Sequence, residues 1–414
     1  MLRCLENFGL ITERIINMHV TFKTFQSGIG DCIFLLMNQE EVQFSVMVDC
    51  GKLTDEIASY IKNDLKNTIN LLVVTHIDND HIIGVRDMLK NDSIKVGQIV
   101  FNCYQRNALG GAKKLNKYQK ERLAAIEKEI GLVVGDLIEH DVDAPAAMKG
   151  LAATILEYPK LKKVWGREYT VCGNFLDLKE NGTITFLSPT IDELEKLDKE
   201  FRHVLFDELN VDKTLGKWDD KENLYEILLR YAMLQKPSVE SDSEKDVLGA
   251  ISLENRLKRA AATPVNTQEI SSANQASLAF VWEKDDHRIL VMGDANPDVV
   301  MNGLLDYYKG KTFPVLFDAV KVSHHGSHFN TTKELMRHVD SGNFFFTGGT
   351  EGKRPSVEAV GRIALRPLAN GINQRTMHFN YLTSLIKELL DDKELQKKYN
   401  FIIDTRKNEL VFAF

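Results

Sequence analysis

The segment THIDNDH, residues 75–81, constrains this chain most. An apolar run, Leu71 to Val74, ends abruptly in His76, Asp78, Asp80 and His81. Such a run reads as a buried strand. Titratable groups are costly inside a core but useful at a strand end, where a loop on a rigid sheet can carry a site. Side chains two positions apart point the same way just past a strand, so His76 and Asp78 converge. Asp80 and His81, in the tight turn beyond, reach a second point. Imidazole nitrogens and carboxylate oxygens are ligands for divalent cations, so one loop can serve two neighbouring metals. A polar loop that merely caps the next helix is the bland alternative, and four ligand-type residues in so short a stretch weigh against it.

Three further segments repeat the pattern. RILVMGD (288–294) is an apolar run closed by Gly293-Asp294, where a carboxylate could bridge two metals and the glycine lets the backbone approach closely. AVKVSHH (319–325) ends in His324 and His325, followed by Gly326, Ser327 and His328. Adjacent residues of an extended strand face opposite sides, so one of the two histidines is expected to face a given site. Asn274-Gln-Ala-Ser277-Leu precedes the Gly-Asp strand and is weak on its own.

Around these segments the chain alternates strands and helices. Strands are expected at 19–25, 42–51, 96–101, 183–189, 276–283 and 343–349, in a turn-to-strand segment at 28–37, and at the C-terminus in FIIDT and LVFAF. Helices are expected at 53–66, 82–89, 112–130 and 382–395. Residues 191–262, rich in Glu, Lys, Asp and Leu with a polar stretch at 237–246, read as a helical insertion. The expected organisation is an extension at 1–17, a first half-domain at 18–190, the insertion at 191–262 and a second half-domain at 263–414. This is a β-rich α/β (α+β) chain.

The net charge of −7 gives no global field that would attract a polyanion. Any such substrate needs a local patch, for which KKLNKYQKER (113–122) and KLKKVWGR (160–167) are candidates, with Trp165 either stacking on a base or joining the core. Five scattered cysteines and no CxxC argue for reduced thiols in an intracellular protein rather than a disulfide framework. The N-terminal segment carries Glu6, Glu13 and Arg14 and makes a poor signal peptide, and no apolar stretch is long enough for a membrane span, so a cytoplasmic location is expected.

Taken together, THIDNDH, the Gly28–Asp31 turn, the strand ending in Asp49-Cys-Gly51, Asn274 to Leu278, Gly293-Asp294 and His324 to Ser327 resemble the metallo-β-lactamase fold superfamily. Within it they resemble the hydrolase domain of ComEC-type DNA-uptake proteins, because Asp78 stands where the wider superfamily has His. The resemblance implies an αββα sandwich with the site at one edge, two divalent metals (Zn or Mn) and hydrolysis. It implies His76 and Asp78 on the first metal, Asp80 and His81 on the second, Asp294 bridging, and His324 as a phosphate-binding or acid group or a substitute ligand, with His325 the alternative. Asn274, Ser277, Ser327 and Arg354 are the expected substrate-binding residues. Arg354 precedes Pro355 where relatives usually supply a last histidine. A guanidinium stays protonated and cannot ligate a cation, so the second metal is expected to be weaker, or Arg354 binds phosphate directly.

The expected function is a metal-dependent phosphodiesterase or nuclease acting on a nucleic acid or nucleotide phosphodiester. Asp80 would orient the attacking water, and His324, His325 and Arg354 would serve the phosphoryl and leaving oxygens. The alternatives are a metal-binding regulatory or assembly protein that meets a protein partner through 191–262, and an ester, thioester or lactone hydrolase. A role in antiviral defence is an extension of the resemblance that no residue carries.

Overall fold

Alternating and continuous apolar runs both resolve into strands in the computed structural model, which describes residues 18–39, 42–103, 117–118, 121–122, 124–126, 128, 150–166, 168–208, 225–229, 231, 251–349, 354–406 and 408–413. In chain order the strands are β1 (Met18–Thr24), β2 (Ile33–Gln39), β3 (Val42–Val48), β4 (Thr68–Val74), β5 (Lys95–Phe101), β6 (Phe175–Asp177), β7 (Thr183–Ser188) and β8 (Ala279–Lys284). They continue as β9 (His287–Val291), β10 (Val315–Phe317), β11 (Ala319–Lys321), β12 (Val339–Ser341), β13 (Asn343–Phe346), β14 (Arg375–Phe379), β15 (Phe401–Asp404) and β16 (Glu409–Ala413). One sheet runs β16-β1-β2-β3-β4-β5 and a second runs β15-β14-β13-β11-β9-β8-β7-β6, while β10 and β12 form a small parallel pair.

The two sheets face each other. Leu71 and Val73 of β4 point to a shared interior with Val20, Phe22, Ile33, Phe280, Trp282, Val291 and Phe345. Leu72 and Val74 point the other way, against helices α1 (Asp55–Asn63) and α2 (Asn79–Leu89). Both faces of β4 are therefore covered, which is why its sequence reads as a continuous apolar run rather than an alternation. Helices α3 (Leu151–Glu157) and α4 (Ile191–Glu208) complete that outer layer. On the outer face of the second sheet lie α5 (Leu253–Ala262), α6 (Pro297–Tyr307), α7 (Val357–Ala364) and α8 (Ser384–Asp391), through Leu257, Val300, Val360 and Ile386. The layers are thus helix, sheet, sheet, helix, the αββα sandwich expected from sequence. The described helices of the 191–262 segment join opposite outer layers, α4 on the first sheet and α5 against α7. Residues 1–17 and most of the helix expected at 112–130 lie outside the described residues.

Strand direction positions the chemistry. β3, β4 and β5 run parallel in the first sheet, and β9, β11, β13, β14 and β15 run parallel in the second. Their carboxyl ends come to one edge of the sandwich, where open α/β sheets place ligands. The two edges are tied there by Leu278 N–H donating to Thr75 O at 2.9 Å. Asp49, Thr75, His76, Asp294, His324 and Thr347 all lie within three residues of such strand ends.

Candidate metal centre

Asp294 is the hub of the site. Its Oδ2 lies 3.4 Å from His81 Nε2, 3.6 Å from His324 Nε2, 3.9 Å from His76 Nε2 and 3.9 Å from His325 Nε2. The main chain around it is fixed on both sides: its N–H donates to Ser277 Oγ at 3.0 Å, and its carbonyl accepts from Asn330 Nδ2 at 2.9 Å. Gly293 before it has φ +46, and a Cβ there would stand 2.5 Å from Ser277 Oγ, so only glycine lets the strand end pass this close.

The four imidazoles turn the same atom inward because each Nδ1 meets an acceptor. Asp49 Oδ2 accepts from His81 Nδ1 at 2.8 Å. Thr75 Oγ1 donates to Asp49 Oδ2 at 2.6 Å, which leaves its lone pairs for His76 Nδ1 at 3.0 Å. Thr347 O accepts from His325 Nδ1 at 2.9 Å. Asn330 gives its amide hydrogens to the Asp294 and Ala295 carbonyls, so its Oδ1 is the atom that faces His324 Nδ1 at 3.0 Å. With one proton held on Nδ1, release of any Nε2 proton leaves a lone pair there for a cation.

The carboxylates come from the loop and the start of α2. Asp78 is the N-cap residue of α2 and lies 3.5 Å from His76 Nε2. Asp80, in the first helical turn where negative charge is favoured, lies 3.1 Å from His325 Nε2 and 3.7 Å from His81 Nε2. The backbone of Asp80 is cradled by the Gly28–Asp31 turn: a Cβ on Gly30 would fall 1.6 Å from Asp80 O. Three clusters of potential ligand atoms lie close together: His76 with His81 and Asp294, Asp80 with His81 and His325, and Asp31 with Asp49 and His81. His81 is common to all three, and its one Nε2 lone pair can serve a single cation.

The donor set fits divalent cations. Nε2 of His76 and His81 and Oδ1 of Asp78 are buried and make no hydrogen bond. Buried polar atoms of that kind are rare unless another partner satisfies them. The charges agree. Burial disfavours ionised carboxylates, yet the His324, His81 and His325 imidazoles hold Asp294 well below its usual range. Likewise burial is outweighed at Asp80 by His81 and His325, and at Asp31 by Lys321 and His325, so both stay below the usual carboxylate range. Burial opposes charge on His81 and His325, but Asp294, Asp80 and Asp49 hold His81 well above its usual range, and Asp31 and Asp294 lift His325 to about 9. The centre is an anionic cluster drawing positive charge from whatever lies within it.

Several residues occupy places the sequence did not suggest. His324 and His325 both face the centre. The alternation rule fails because β11 ends at Lys321, and the two histidines sit in a turn with φ +48 and +54 rather than in a strand. Burial, with the Arg354 charge beside it, pushes His324 down to about 4 despite Asp294. Arg354 Nη2 lies 3.2 Å from His324 Nε2, so a lone pair and not a proton faces that side, and the expected acid role of His324 does not fit this tautomer. Ser277 and Ser327 were expected to touch substrate, but both are fully buried. Ser277 Oγ holds the Asp294 N–H and neighbours His76 Nδ1 at 3.3 Å, while Ser327 Oγ accepts the Phe329 N–H at 3.2 Å. Asn274 reaches His324 Nδ1 with Nδ2 at 3.3 Å. Trp165 is core: its Nε1 donates to Phe101 O at 3.1 Å and its ring stacks on Phe101, so it is not a platform for a base. Of segment 113–122 only four residues are described, and Arg167 lies outside the described residues.

Sequence reading missed Asp49 and Asp31 as members of the site, although it noted the turns that carry them, and it missed Lys321 altogether. Lys321 is fully buried, pairs with Asp31, donates to Gly293 O at 2.9 Å and lies 3.7 Å from Asp294 Oδ1. Burial opposes its charge, and the Asp31 and Asp294 carboxylates more than offset it. The signal was a lysine inside the apolar run AVKVS. The open side of the site is bordered by Asp78, Asp80 and His324, whose side chains keep 21%, 23% and 21% of their surface exposed.

No family model matches the chain, and no curated protein matches it. Among solved structures, 42 chains match. They include the metallo-beta-lactamase fold protein YhfI from Bacillus subtilis, 10% identical with a TM-score of 0.35, over 96% of this chain and 100% of that one. They include a diphosphatase from the PhnP family, 9% identical with a TM-score of 0.32, over 96% of this chain and 99% of that one. A CmlA beta-hydroxylase variant matches at 9% identity and a TM-score of 0.31, over 95% of this chain and 54% of that one. Among the described residues no helix is long and apolar enough to cross a membrane. The chain is similar to a metallo-beta-lactamase fold protein, and its own four layers and strand-end His/Asp cluster carry the fold assignment.

Proposed function

We propose that this chain is a metal-dependent hydrolase of phosphodiesters, with a nucleic acid or nucleotide as the substrate class and two divalent metals, Zn or Mn, as cofactors. The observation that carries the proposal is the convergence of four Nε2 atoms on Asp294 Oδ2, with Arg354 adding fixed positive charge beside His324. His76, Asp78 and Asp294 would hold one cation, and Asp80, His81, His325 and Asp294 the other, with His324 Nε2 available as a further donor. When bound, such metals lower the pKa of water to near neutrality and polarise a phosphoryl oxygen. Asp80, ionised and partly exposed, orients the attacking water through its carboxylate. Arg354 offers planar N–H donors to the phosphoryl oxygens, the recognition for which a guanidinium is suited. The oxygen-rich donor set that Asp78 creates favours Mn²⁺ relative to an all-histidine site.

The test is hydrolysis of single- and double-stranded DNA, RNA and bis-p-nitrophenyl phosphate by Mn²⁺- or Zn²⁺-loaded protein, beside a thioester and a lactone. Cleavage of phosphodiesters that is lost in Asp80→Ala and Asp294→Ala supports the proposal. Cleavage of the thioester or lactone alone would favour an ester-type hydrolase. Metal binding without hydrolysis of any of them would favour the regulatory reading, for which Arg354 in place of a last histidine is the motivating residue.

A further inference from the structure

Lys321 spans two features that a simple counter-ion would not need to join. Its ammonium donates to the carbonyl of Gly293, immediately before Asp294, and faces Asp294 Oδ1, the oxygen turned away from the histidines. Its third contact, Asp31, is itself tied to Thr347 and lies 3.1 Å from His325 Nδ1. One buried cation thus links the hub carboxylate to the strand-end that holds His325, across β9, β11 and β13.

We infer that Lys321 is a positioning residue: it turns the Asp294 carboxylate so that Oδ2 alone faces the four imidazoles, and it thereby sets the geometry of the metal centre. This rests on the metal-centre reading above. A lysine serving only to neutralise Asp31 would need neither the Gly293 carbonyl nor the approach to Oδ1. The contact also confines Asp294 to one ligating oxygen per cation, because the other oxygen is directed at a fixed positive charge.

The experiment is a charge-balanced double variant, Lys321→Met with Asp31→Asn, compared with wild type, with Asp31→Asn and with Lys321→Met. Replacing a buried ion pair by neutral groups of similar volume is often neutral for folding, whereas removing one partner leaves an uncompensated buried charge. Gly293 O keeps the His324 N–H at 2.9 Å as a donor in the variant. The double variant is therefore expected to fold with a wild-type circular dichroism spectrum even where Lys321→Met does not. Net charge at the centre is unchanged, and the Asp31→Asn variant controls for losing the carboxylate beside His325 Nδ1. Loss of positioning is expected to weaken Co²⁺ binding at least about tenfold in equilibrium dialysis, in the range seen for residues that orient metal ligands, and to alter the visible absorption of the Co²⁺ form. A double variant that folds and binds Co²⁺ with wild-type affinity and spectrum overturns the inference while leaving the metal centre standing. Wild-type protein that binds no Co²⁺ overturns both.

Discussion

Asp49→Asn probes how the centre is built without touching a proposed ligand. Asp49 Oδ1 accepts the Thr75 N–H at 2.7 Å, and Oδ2 accepts both Thr75 Oγ1 at 2.6 Å and His81 Nδ1 at 2.8 Å. Asparagine has the same shape but one accepting oxygen. If the amide nitrogen faces Thr75 N, two donors oppose each other. If it faces His81, the imidazole loses its acceptor and shifts its proton to Nε2, the atom that points at Asp294. The second arrangement removes His81 as a ligand. Substitutions at residues that orient metal ligands typically cost about 10–100-fold in metal affinity, which is about 1.4–2.7 kcal/mol. Leaving one buried donor unsatisfied costs the metal-free protein a further amount of about 1–3 kcal/mol. The assay is isothermal titration of chelator-treated protein with Mn²⁺ or Zn²⁺, run beside urea denaturation without metal. The predicted result is a loss in both. A variant that loses stability but keeps metal affinity within about twofold would refute the tautomer argument, because Asp49 would then be a structural anchor alone.

Other outcomes follow from the same geometry. Arg354→Met should lower kcat/KM for a phosphodiester about 10–100-fold, the equivalent of one charge-assisted contact, while leaving hydrolysis of an uncharged ester unchanged; equal losses on both would remove Arg354 from phosphate recognition. Chelation should lower the Tm and readdition of Mn²⁺ or Zn²⁺ should restore it, by about 2.7 kcal/mol at a metal concentration of 100 times Kd; a scanning calorimetry trace indifferent to chelator would count against a resident cation. Away from the site, Asp340 binds Arg375 at 2.9 and 2.7 Å and Arg366 at 2.8 Å. Burial opposes its charge, but the two guanidinium groups hold its carboxyl below the usual range. Its folded pKa is depressed, so its contribution is complete above the ordinary carboxylate value of about 4 and is lost as pH falls through the lower folded value. Asp340→Asn should therefore cost about 3–5 kcal/mol in urea denaturation at pH 7, and the gap from wild type should stay constant down to about pH 4 and narrow below it; a gap still unchanged at about pH 2 would refute the linkage.

What the sequence revealed, and what it hid, has a physical explanation. THIDNDH and Gly293-Asp294 were legible because strands covered on both faces read as apolar runs, so their polar ends stand out. The αββα layers were expected from the family resemblance of these motifs, whereas the apolar runs alone read only as a β-rich α/β chain. The turn of both His324 and His325 toward the centre was not legible, because residue alternation presumes extended backbone and these two are in the left-handed region. Lys321 broke the pattern of its strand and looked like an interruption; its partner Asp31 is brought to it by pairing between two sheets, which spacing does not reveal. Ser327 looked like a substrate group because it follows two histidines, yet the turn that aims them at the centre buries it. Strand β14 was overlooked because RTMHF mixes charged and apolar residues, and the buried Arg375 that begins it is satisfied by Asp340 of β12. The helix expected from 82 begins at Asn79, which moves Asp80 and His81 from a loop into a first helical turn.

The central claim is that the four inward imidazoles and Asp294 hold metal, and anomalous diffraction from crystals grown with Mn²⁺ or Zn²⁺ tests it most directly. The account predicts anomalous density at coordination distance, about 2.0–2.3 Å, from His81 Nε2 and Asp294 Oδ2, with a second peak between Asp80 and His325. Crystals that contain the metal elsewhere, and show no anomalous peak beside His81 and Asp294, would contradict it.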